Sequence, residues 1–484
     1  LSKMGRSMYD HQKSAVKFQL SRKKCLLADD QGLAKTCSTV ISSIEGKFKK
    51  ILIICPASIK STWKREIGYF VDKNKIGIVD SDNWVDKQYT IINYDILDRH
   101  YTMPYDIQIE EKISRNKNGD EKLDENGNSI INKTIKKSKS RNKDFIRSCM
   151  EKSNLYMSDF DLVIIDECHK LSNNNSIRYE IIEDFLKRTK IENVFLLSGT
   201  PMTNRPINLY HVLSLIGVDV CKNYEYFVKT YCDGKKITSE TTKKSIWLTS
   251  GSSNLDELME KIKTCYLRRL KKDIPGMVGK SIHQRFYDLT PEEKSKYDSL
   301  WEEYESSQMA LGNNNLNRDL TEGIFLRKFV STCMVKNTID LANEFLEDGE
   351  KVFIACMFDD ELYALKEYYG DKAVIYNGKM SIKQKDIAED KFMNDPNTTV
   401  FIGNIIAAGV GLTLISSHIC IFNSYDWVPG NNEQMMDRVH RIGQKYDVEV
   451  YYQLFSDTIS EYMWETIIKK KINIDTVIIE EKSK

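Results

Sequence analysis

Short, unbroken apolar runs recur along the chain. In the first half they are Cys25–Ala28, Ile51–Cys55, Thr90–Ile92, Leu162–Ile165 and Val194–Leu197. In the second half they are Val352–Cys356, Ala373–Tyr376, Val400–Ile402, Ile419–Phe422 and Val448–Tyr452. Many end in polar or glycine-bearing turns, and helix-favouring stretches fall between many of them. A strand that is apolar throughout, rather than alternating, is buried on both faces. That requires a parallel sheet covered by helices above and below. Two such series predict two tandem α/β lobes.

The middle of the chain has a different texture. Residues 218–350 are rich in charged, helix-favouring sequence, including Glu292–Ser307 and Asp340–Leu346, which predicts helical protrusions and a linker. Gly312–Asn317 has the composition of a loop. Residues 99–150 look inserted, because Asn118-Gly119 and Asn126-Gly127 are hairpin-turn signals and a basic run follows from Lys136 to Lys143. That run is either a solvated surface loop or an arm near nucleic acid. The expected organisation is a first lobe over 1–217 carrying the insertion 99–150, a helical protrusion and linker over 218–288, and a second lobe over 289–484 with its own protrusion at about 292–345.

Bulk composition narrows the class without deciding it. A chain of 484 residues holds two or three domains at roughly 100–200 residues each. Lys plus Arg number 71 and Asp plus Glu 70, so net charge argues neither for nor against nucleic acid. A protein that touches only the phosphate backbone needs a local basic groove. The 11 cysteines are scattered with no CxxC pair, which disfavours a zinc ribbon and points to reduced thiols. Cys55, Cys356 and Cys420 sit inside apolar runs, where cysteine acts as a small core residue. No apolar run approaches the roughly 18 residues that span a bilayer, and no signal peptide opens the chain. The expectation is a protein outside the membrane and not secreted, cytoplasmic in a bacterial or phage setting and nuclear in a eukaryotic one. Leu1 at the start suggests a segment of a longer protein.

Four stretches carry candidate chemistry. In LLADDQGLAKT (Leu26 to Thr36) an apolar strand enters a glycine-bearing turn and then a helix start. Backbone N–H groups at such a start cradle phosphates, Lys35 would neutralise β- and γ-phosphate charge, and the Thr36 hydroxyl would hold Mg2+. Gly32, Leu33 and Ala34 complete the loop. Ala34 departs from the pattern, which has Gly before the Lys, and its Cβ would crowd the phosphates or strain the loop. In FDLVIIDECH (Phe160 to His169) a strand delivers Asp166 and Glu167 at its C-terminal end. Phosphoryl transfer needs one carboxylate for Mg2+ and one to orient the attacking water; Asp166 fits the first role and Glu167 the second. LLSGTP (Leu196 to Pro201) places Ser198 and Thr200 at another strand end, either to bond the acids and sense the γ-phosphate or as a plain turn. In DRVHRIGQ (Asp437 to Gln444) a helical turn would put Arg438 and Arg441 on one face, suited to transition-state phosphate charge or to surface salt bridging.

Together and in this order these strings resemble the SWI/SNF-type ATPases of helicase superfamily 2, over nearly the whole chain. Tyr9-Asp10-His11-Gln12 is similar to the opening motif whose Gln reads adenine. ILIICPASIKSTWKREI (Ile51 to Ile67) resembles the motif that meets a DNA strand, and INYD (Ile92 to Asp95) follows it. LRRLKKDIP (Leu267 to Pro275) and LTPEEKSKY (Leu289 to Tyr297) resemble the crossing between lobes. AAGVGLTL (Ala407 to Leu414), WVPG (Trp427 to Gly430) and DRVHRIGQ resemble the second-lobe set. The tail from Thr458 to Ile479 is similar to a helix, about 458–480, that braces back onto the first lobe. Within the family, ADD, SGTPMTNRPINLY, Ala407-Ala408 and the W-x-P-G string sit closest to the annealing-helicase, HARP-related branch. The substrate-recognition module of that branch is not visible, so the resemblance leaves strand annealing open.

The resemblance implies two RecA-like P-loop lobes and a monomeric motor that hydrolyses ATP with Mg2+ while tracking the phosphates of double-stranded DNA. It implies nucleotide contacts from Gln12, Gly32, Leu33, Ala34, Lys35, Thr36, Gly411, Arg438 and Arg441. Lys35, Asp166, Glu167, Arg438 and Arg441 would be catalytic, with Thr36 and Asp166 on the metal. His169, Ser198, Thr200, Gln434 and Gln444 would couple the lobes, and Ser58, Lys60, Thr62 and Thr413 would meet DNA phosphates. Fork remodelling, recombination or repair are the implied settings. Two other readings stay open. A scaffold that binds nucleotide or DNA without turnover is favoured by Ala34 and opposed by the intact acids and arginines. An RNA or single-strand helicase is opposed by DRVHRIGQ and LRRLKKD.

Overall fold

The structure is a computed structural model and describes residues 8–113, 131–173, 176–202, 205–238, 245–249, 251–311, 316–409 and 411–468. In lobe one the strands are β1 (Lys24–Leu27), β2 (Ile51–Cys55), β3 (Ile76–Ile78) and β4 (Tyr89–Asn93), then a hairpin of β5 (Tyr105–Ile113) and β6 (Ile131–Lys139). Then come β7 (Leu162–Asp166), β8 (Asn193–Leu197), a hairpin of β9 (Lys235–Thr238) and β10 (Ser245–Leu248), and β11 (Tyr266–Leu267). The parallel sheet of lobe one has seven strands in the order β11-β1-β8-β7-β2-β4-β3. Lobe two contains β12 (Lys280–Tyr287), β13 (Val352–Cys356), β14 (Ala373–Tyr376), β15 (Val400–Asn404), β16 (Ile419–Phe422) and β17 (Val448–Phe455), a six-stranded parallel sheet ordered β12-β17-β16-β13-β15-β14.

All of the apolar runs become strands, for the reason the pattern implies: all but one are central or near-central, and β14 lies at the edge of its sheet. Alternate residues of one strand enter different cores. Leu52, Ile54, Val163 and Ile165 pack on one face of lobe one, and Ile51, Ile53, Leu162 and Ile164 on the other. Lobe two repeats this, with Phe353, Phe401 and Phe422 on one face and Val352, Ile354, Ile402 and Ile421 on the other. A side chain buried on either face contributes about 1.5–3 kcal/mol relative to exposure, so both faces favour continuous Val, Ile, Leu and Phe.

The strands the pattern misses lie at sheet edges. β11 has two residues, and β12 is exposed along most of its length. Both fall in 218–288, expected to be protrusion and linker. Instead β11 pairs with β1 of lobe one and β12 with β17 of lobe two, so this segment stitches an edge strand onto each sheet. The long helix Leu316–Glu347 spans the expected second-lobe protrusion and packs on lobe two. The two Asn-Gly signals, most of Gly312–Asn317 and the tail beyond 468 lie outside the described residues; residues 459–468 are helical. All 11 cysteines are free, with Cys55, Cys356 and Cys420 buried. Among the described residues no helix is long and apolar enough to cross a membrane.

One buried polar knot ties the helices of lobe two to its sheet. Glu361, fully buried, accepts the N–H groups of Met357 and Phe358, each at 2.7 Å, the Ser424 hydroxyl at 2.5 Å and the Asn423 amide. Asn423 also accepts from the Thr338 hydroxyl at 2.6 Å, on the long helix. Burial pushes the Glu361 carboxyl up to about 7. Glu361→Gln turns one acceptor oxygen into a donor facing other donors, so it should cost about 2–3 kcal/mol. A lowered urea or thermal midpoint is expected, and an unchanged midpoint would contradict the account.

Candidate nucleotide site and nucleic-acid face

In lobe one the C-terminal ends of β1, β7 and β8 open toward lobe two, the edge where parallel α/β sheets bind ligands. After β1 the chain turns through Gly32 at φ +83° and Ala34 at φ +57°, then enters the helix Lys35–Glu45. Ala34 caps that helix in the left-handed region, which costs a residue with a Cβ about 1–2 kcal/mol. This is the physical content of its departure from Gly. Lys35 Nζ donates to the carbonyls of Asp29 at 2.7 Å and Asp30 at 3.2 Å. Burial lowers its proton affinity, and Glu167, Asp29 and Asp166 oppose that shift. Thr36 follows in the first turn. The Leu33 carbonyl lies 3.3 Å from His11 Nε2, and Gln12 Oε1 accepts the Tyr9 N–H at 3.0 Å, which joins the opening helix to the loop.

β7 ends on the acid pair. The Trp63 indole N–H donates to Asp166 Oδ2 at 2.8 Å, the Glu167 N–H donates to Oδ1 at 2.8 Å, and the Tyr94 hydroxyl donates to the Asp166 carbonyl at 2.7 Å. Burial first, then the charge of Glu167, push Asp166 up to about 7. Burial also acts to raise Glu167, but His169, Lys35 and Arg438 outweigh it and hold that carboxyl below its ordinary range. Glu167 itself sits at φ +51°, strain of the kind found at functional sites. His169 Nδ1 lies 3.3 Å from Glu167 Oε2 and 3.0 Å from Ser198 Oγ, which accepts the Thr200 N–H at 3.1 Å. Thr200 Oγ1 is buried without a hydrogen-bond partner.

The donor set fits a divalent cation bound together with phosphates. A buried carboxylate that holds its proton up to about 7 is short of positive charge. Among the described residues no group of three or more His, Cys, Asp or Glu could hold a metal alone. Asp166 and Thr36 would therefore hold Mg2+ with the nucleotide supplying the remaining oxygens, the usual arrangement for this ion.

Lobe two supplies the guanidinium groups. Arg438 donates from Nε to the Gln434 carbonyl at 2.8 Å, from Nη1 to the Leu412 carbonyl at 3.2 Å, and from Nη2 to Gln31 Oε1 of lobe one. Arg441 donates to the Leu412 carbonyl at 2.6 Å and to Thr413 Oγ1 at 2.9 Å. A Cβ on Gly32 would stand 2.9 Å from Arg441 Cβ, so a glycine is required where lobe two meets the loop.

Sequence reasoning missed the role of the linker cations. Arg269 pairs with Asp29 and reaches the His11 carbonyl. Arg268 pairs with Asp30 at 3.2 Å, and Lys271 pairs with Asp437 at 2.5 Å and with the His440 carbonyl. The signal was present: adjacent acids in the loop and a run of cations in LRRLKK have opposite sign.

A second cleft of about 570 Å3 opens between the lobes on the side of β2 and β4. Ser58 and Thr62 line it, joined by Lys170, Arg178 and Lys385, which sequence reasoning did not select. The other expected phosphate contacts go elsewhere. Lys60 Nζ is spent on the Val79 carbonyl at 3.1 Å and Asn93 Oδ1 at 2.8 Å. Thr413 bonds Arg441, and its N–H donates to Glu389 Oε1 at 2.9 Å. Gly411, expected at the nucleotide, lines this cleft instead, where a Cβ would stand 2.7 Å from Ile59 Cγ2. Gln444, expected to couple the lobes, braces a turn of lobe two by donating to the Ser417 carbonyl at 2.8 Å and accepting the Lys445 N–H at 2.8 Å. Gln434 is buried, and its carbonyl anchors Arg438.

Two parallel-sheet lobes in tandem, with a P-loop in the first, define the class of RecA-like cores. The model of the SNF2-related domain matches residues 11–335 and that of the helicase conserved C-terminal domain matches 336–443. The chain belongs to the SNF2-related family. It is 25% identical over 489 residues to the SWI/SNF-related matrix-associated actin-dependent regulator of chromatin subfamily A-like protein 1 of Xenopus tropicalis, covering 98% of this chain and 45% of that protein. It is 26% identical over 480 residues to the Caenorhabditis elegans homolog, with 96% and 61% covered. It is 24% identical over 473 residues to the Homo sapiens DNA annealing helicase and endonuclease ZRANB3, with 95% and 39% covered. The chain thus spans about half the length of these curated relatives. The Sulfolobus solfataricus SWI2/SNF2 ATPase core in complex with dsDNA aligns over 99% of this chain and 94% of that one, at 19% identity and a TM-score of 0.38.

The strain at Ala34 can be measured. Ala34→Gly relieves the left-handed penalty and gives back part as chain entropy, so it should stabilise the protein by about 0.5–1 kcal/mol. A raised thermal midpoint is the expected outcome; a lowered one would mean that the Cβ packs favourably.

Proposed function

We propose that this chain is an ATP-driven motor that translocates on double-stranded DNA, contacting mainly the phosphate backbone. The observation that carries the reading is the meeting of two half-sites. Lys35, Thr36 and the Asp166–Glu167 pair approach from lobe one, and Arg438 and Arg441 approach from lobe two at Gly32 and Gln31.

Lys35, held on the Asp29 and Asp30 carbonyls before nucleotide binds, neutralises the β- and γ-phosphates in this reading, and Ala34 and Gly32 shape the backbone that faces them. Glu167, kept ionised by His169, Lys35 and Arg438, orients the attacking water and takes its proton. Water adds to the γ-phosphorus as the bond to the ADP oxygen breaks, giving ADP and phosphate. Mg2+, when bound, neutralises charge on the β- and γ-oxygens. Arg438 and Arg441 meet the charge that builds on the transferred group. His169 and Ser198 pass the state of Glu167 toward Thr200.

Duplex DNA lies along the second cleft, where Ser58, Thr62, Lys170, Arg178 and Lys385 face it. One relative is named a DNA annealing helicase, which favours DNA over RNA. Fork remodelling, recombination or repair are settings that present such duplexes. The motor works as a monomer.

Steady-state ATP hydrolysis with duplex DNA, single-stranded DNA, RNA or no nucleic acid tests this reading. Duplex should stimulate turnover most, with the stimulation falling steeply with salt. Glu167→Gln should lower turnover by about 10²-fold or more, the usual worth of a general base. Preferential stimulation by RNA would favour a different helicase class, and inertness with every nucleic acid would favour a scaffold.

A further inference from the structure

We propose that Trp63 is a positioning residue that links the second cleft to the Asp166 carboxylate, so that duplex bound in the cleft acts on the nucleotide site. The inference rests on the ATPase reading above and deepens it. Trp63 is fully buried. Its indole N–H donates to Asp166 Oδ2 at 2.8 Å, between residues 103 positions apart in the chain. The other oxygen, Oδ1, accepts the N–H of the very next residue, Glu167, at 2.8 Å. That bond travels with the local backbone and cannot report on any other element. The indole therefore ties the carboxylate to a different part of the lobe. It has one N–H and no acceptor, so the tie runs in one direction.

The element that carries Trp63 is a wall of the second cleft. After β2 the chain makes the turn Ala57–Ile59 and enters the helix Lys60–Gly68. Ser58 and Thr62 of this segment line the cleft, and Thr62 immediately precedes Trp63. Lobe two rests on the same segment. A Cβ on Gly411 would stand 2.7 Å from Ile59 Cγ2 and 3.6 Å from Thr62 Oγ1. The charge of Glu66, on the same helix, favours the ionised form of Arg441. A phosphate at Ser58 or Thr62 and the closure of lobe two thus both bear on a helix whose buried side holds the indole.

A second tie runs in parallel. Tyr94 follows β4, lines the same cleft, and donates to the Asp166 carbonyl at 2.7 Å. Trp63 belongs to the core on one face of the lobe-one sheet and Tyr94 to the core on the other. The end of β7 is thus clasped from both faces by side chains that come from the cleft. Close-packed interiors transmit displacement rather than absorb it. A hydrogen-bond donor behind a metal-binding carboxylate fixes the orientation of that carboxylate. Moving the helix moves the donor, and the donor sets the plane of the acid. Trp84 offers an internal comparison, because its indole N–H donates to Ser158 Oγ at 3.1 Å and to neither acid.

Trp63→Phe keeps most of the apolar body and removes the N–H. Affinity for a fluorescent duplex would be measured by anisotropy, without nucleotide and with Mg2+ and a non-hydrolysable ATP analogue. The chains compared are the parent, Trp63→Phe, Tyr94→Phe and Trp84→Phe, with duplex-stimulated ATP hydrolysis followed alongside. In the parent the analogue should change duplex affinity by about fivefold or more, in either direction, as two coupled sites require. In Trp63→Phe that change should fall to about twofold or less, with nucleotide-free duplex affinity held within about twofold of the parent. Duplex-stimulated hydrolysis should fall about tenfold in the same variant. Trp84→Phe should respond as the parent does, and Tyr94→Phe should respond less than the parent. A parent-like response in Trp63→Phe, an equal loss in Trp84→Phe, or a parent that hydrolyses ATP with duplex yet shows no analogue effect would overturn the inference. If Trp63→Phe does not fold, a parent-like response in Tyr94→Phe would do the same. A parent that hydrolyses no ATP with any duplex would instead overturn the ATPase reading itself.

Discussion

Asp29, Asp30 and Asp437 are carboxylates largely removed from water where the two lobes meet, and one linker segment supplies a cation to each. Arg268, Arg269 and Lys271 come from four consecutive positions, yet they address the phosphate loop of lobe one and, in lobe two, the turn after the helix Pro429–Met436 that carries Arg438 and Arg441. Removing one member of a buried pair costs about 3–5 kcal/mol, so these contacts constrain where the halves can sit. β11 and β12, on either side of the cations, give the segment a backbone seat on each sheet. Hydrogen bonding of two edge strands and charge pairing between them thus set the register of the junction.

Everything at the nucleotide site inherits that register. The acid pair ends a strand buried on both faces, so burial acts to raise both carboxyls, and Trp63, His169 and Lys35 divide the compensation unequally. Asp166 is left short of positive charge and Glu167 is left ionised, so two adjacent carboxyls differ in their hold on a proton. Strain collects at the same place. Ala34 and Glu167 both hold left-handed backbone, at the two loops that would face the phosphates. Trp63 adds a path from the other cleft, since the helix bearing it also carries Thr62.

Much of this was legible in the sequence. The central strands announced themselves because burial on two faces leaves no room for polar alternation, and the strings that carry Lys35, Asp166, Glu167, Arg438 and Arg441 come together where the lobes meet. Apart from β14, whose apolar run marks it, edge strands were not legible. β12 is exposed and mixed in character, and β11 is too short to show a pattern. Side-chain destinations were also hidden. Lys60 and Thr413 carry the right chemistry for phosphates, but nearby carbonyl and carboxylate acceptors and Arg441 claim them, which no linear spacing reveals. Gly411 and Gln444 belong to their motifs by position and to other work by geometry: one gives Ile59 room, the other closes a turn. The pairing of loop acids with linker cations was written in complementary charges but needed some 240 residues of chain to be brought together.

The central claim is that buried linker charge holds the two half-sites in register. Energy transfer between a dye on an exposed position of each lobe, compared between the parent and Lys271→Met, tests it most directly. Lys271→Met strands Asp437 without its cation and leaves the volume nearly unchanged. The account predicts lower and more broadly distributed transfer in the variant, as the lobes separate more often. Transfer identical to that of the parent would contradict it, and would place the register in the edge strands alone.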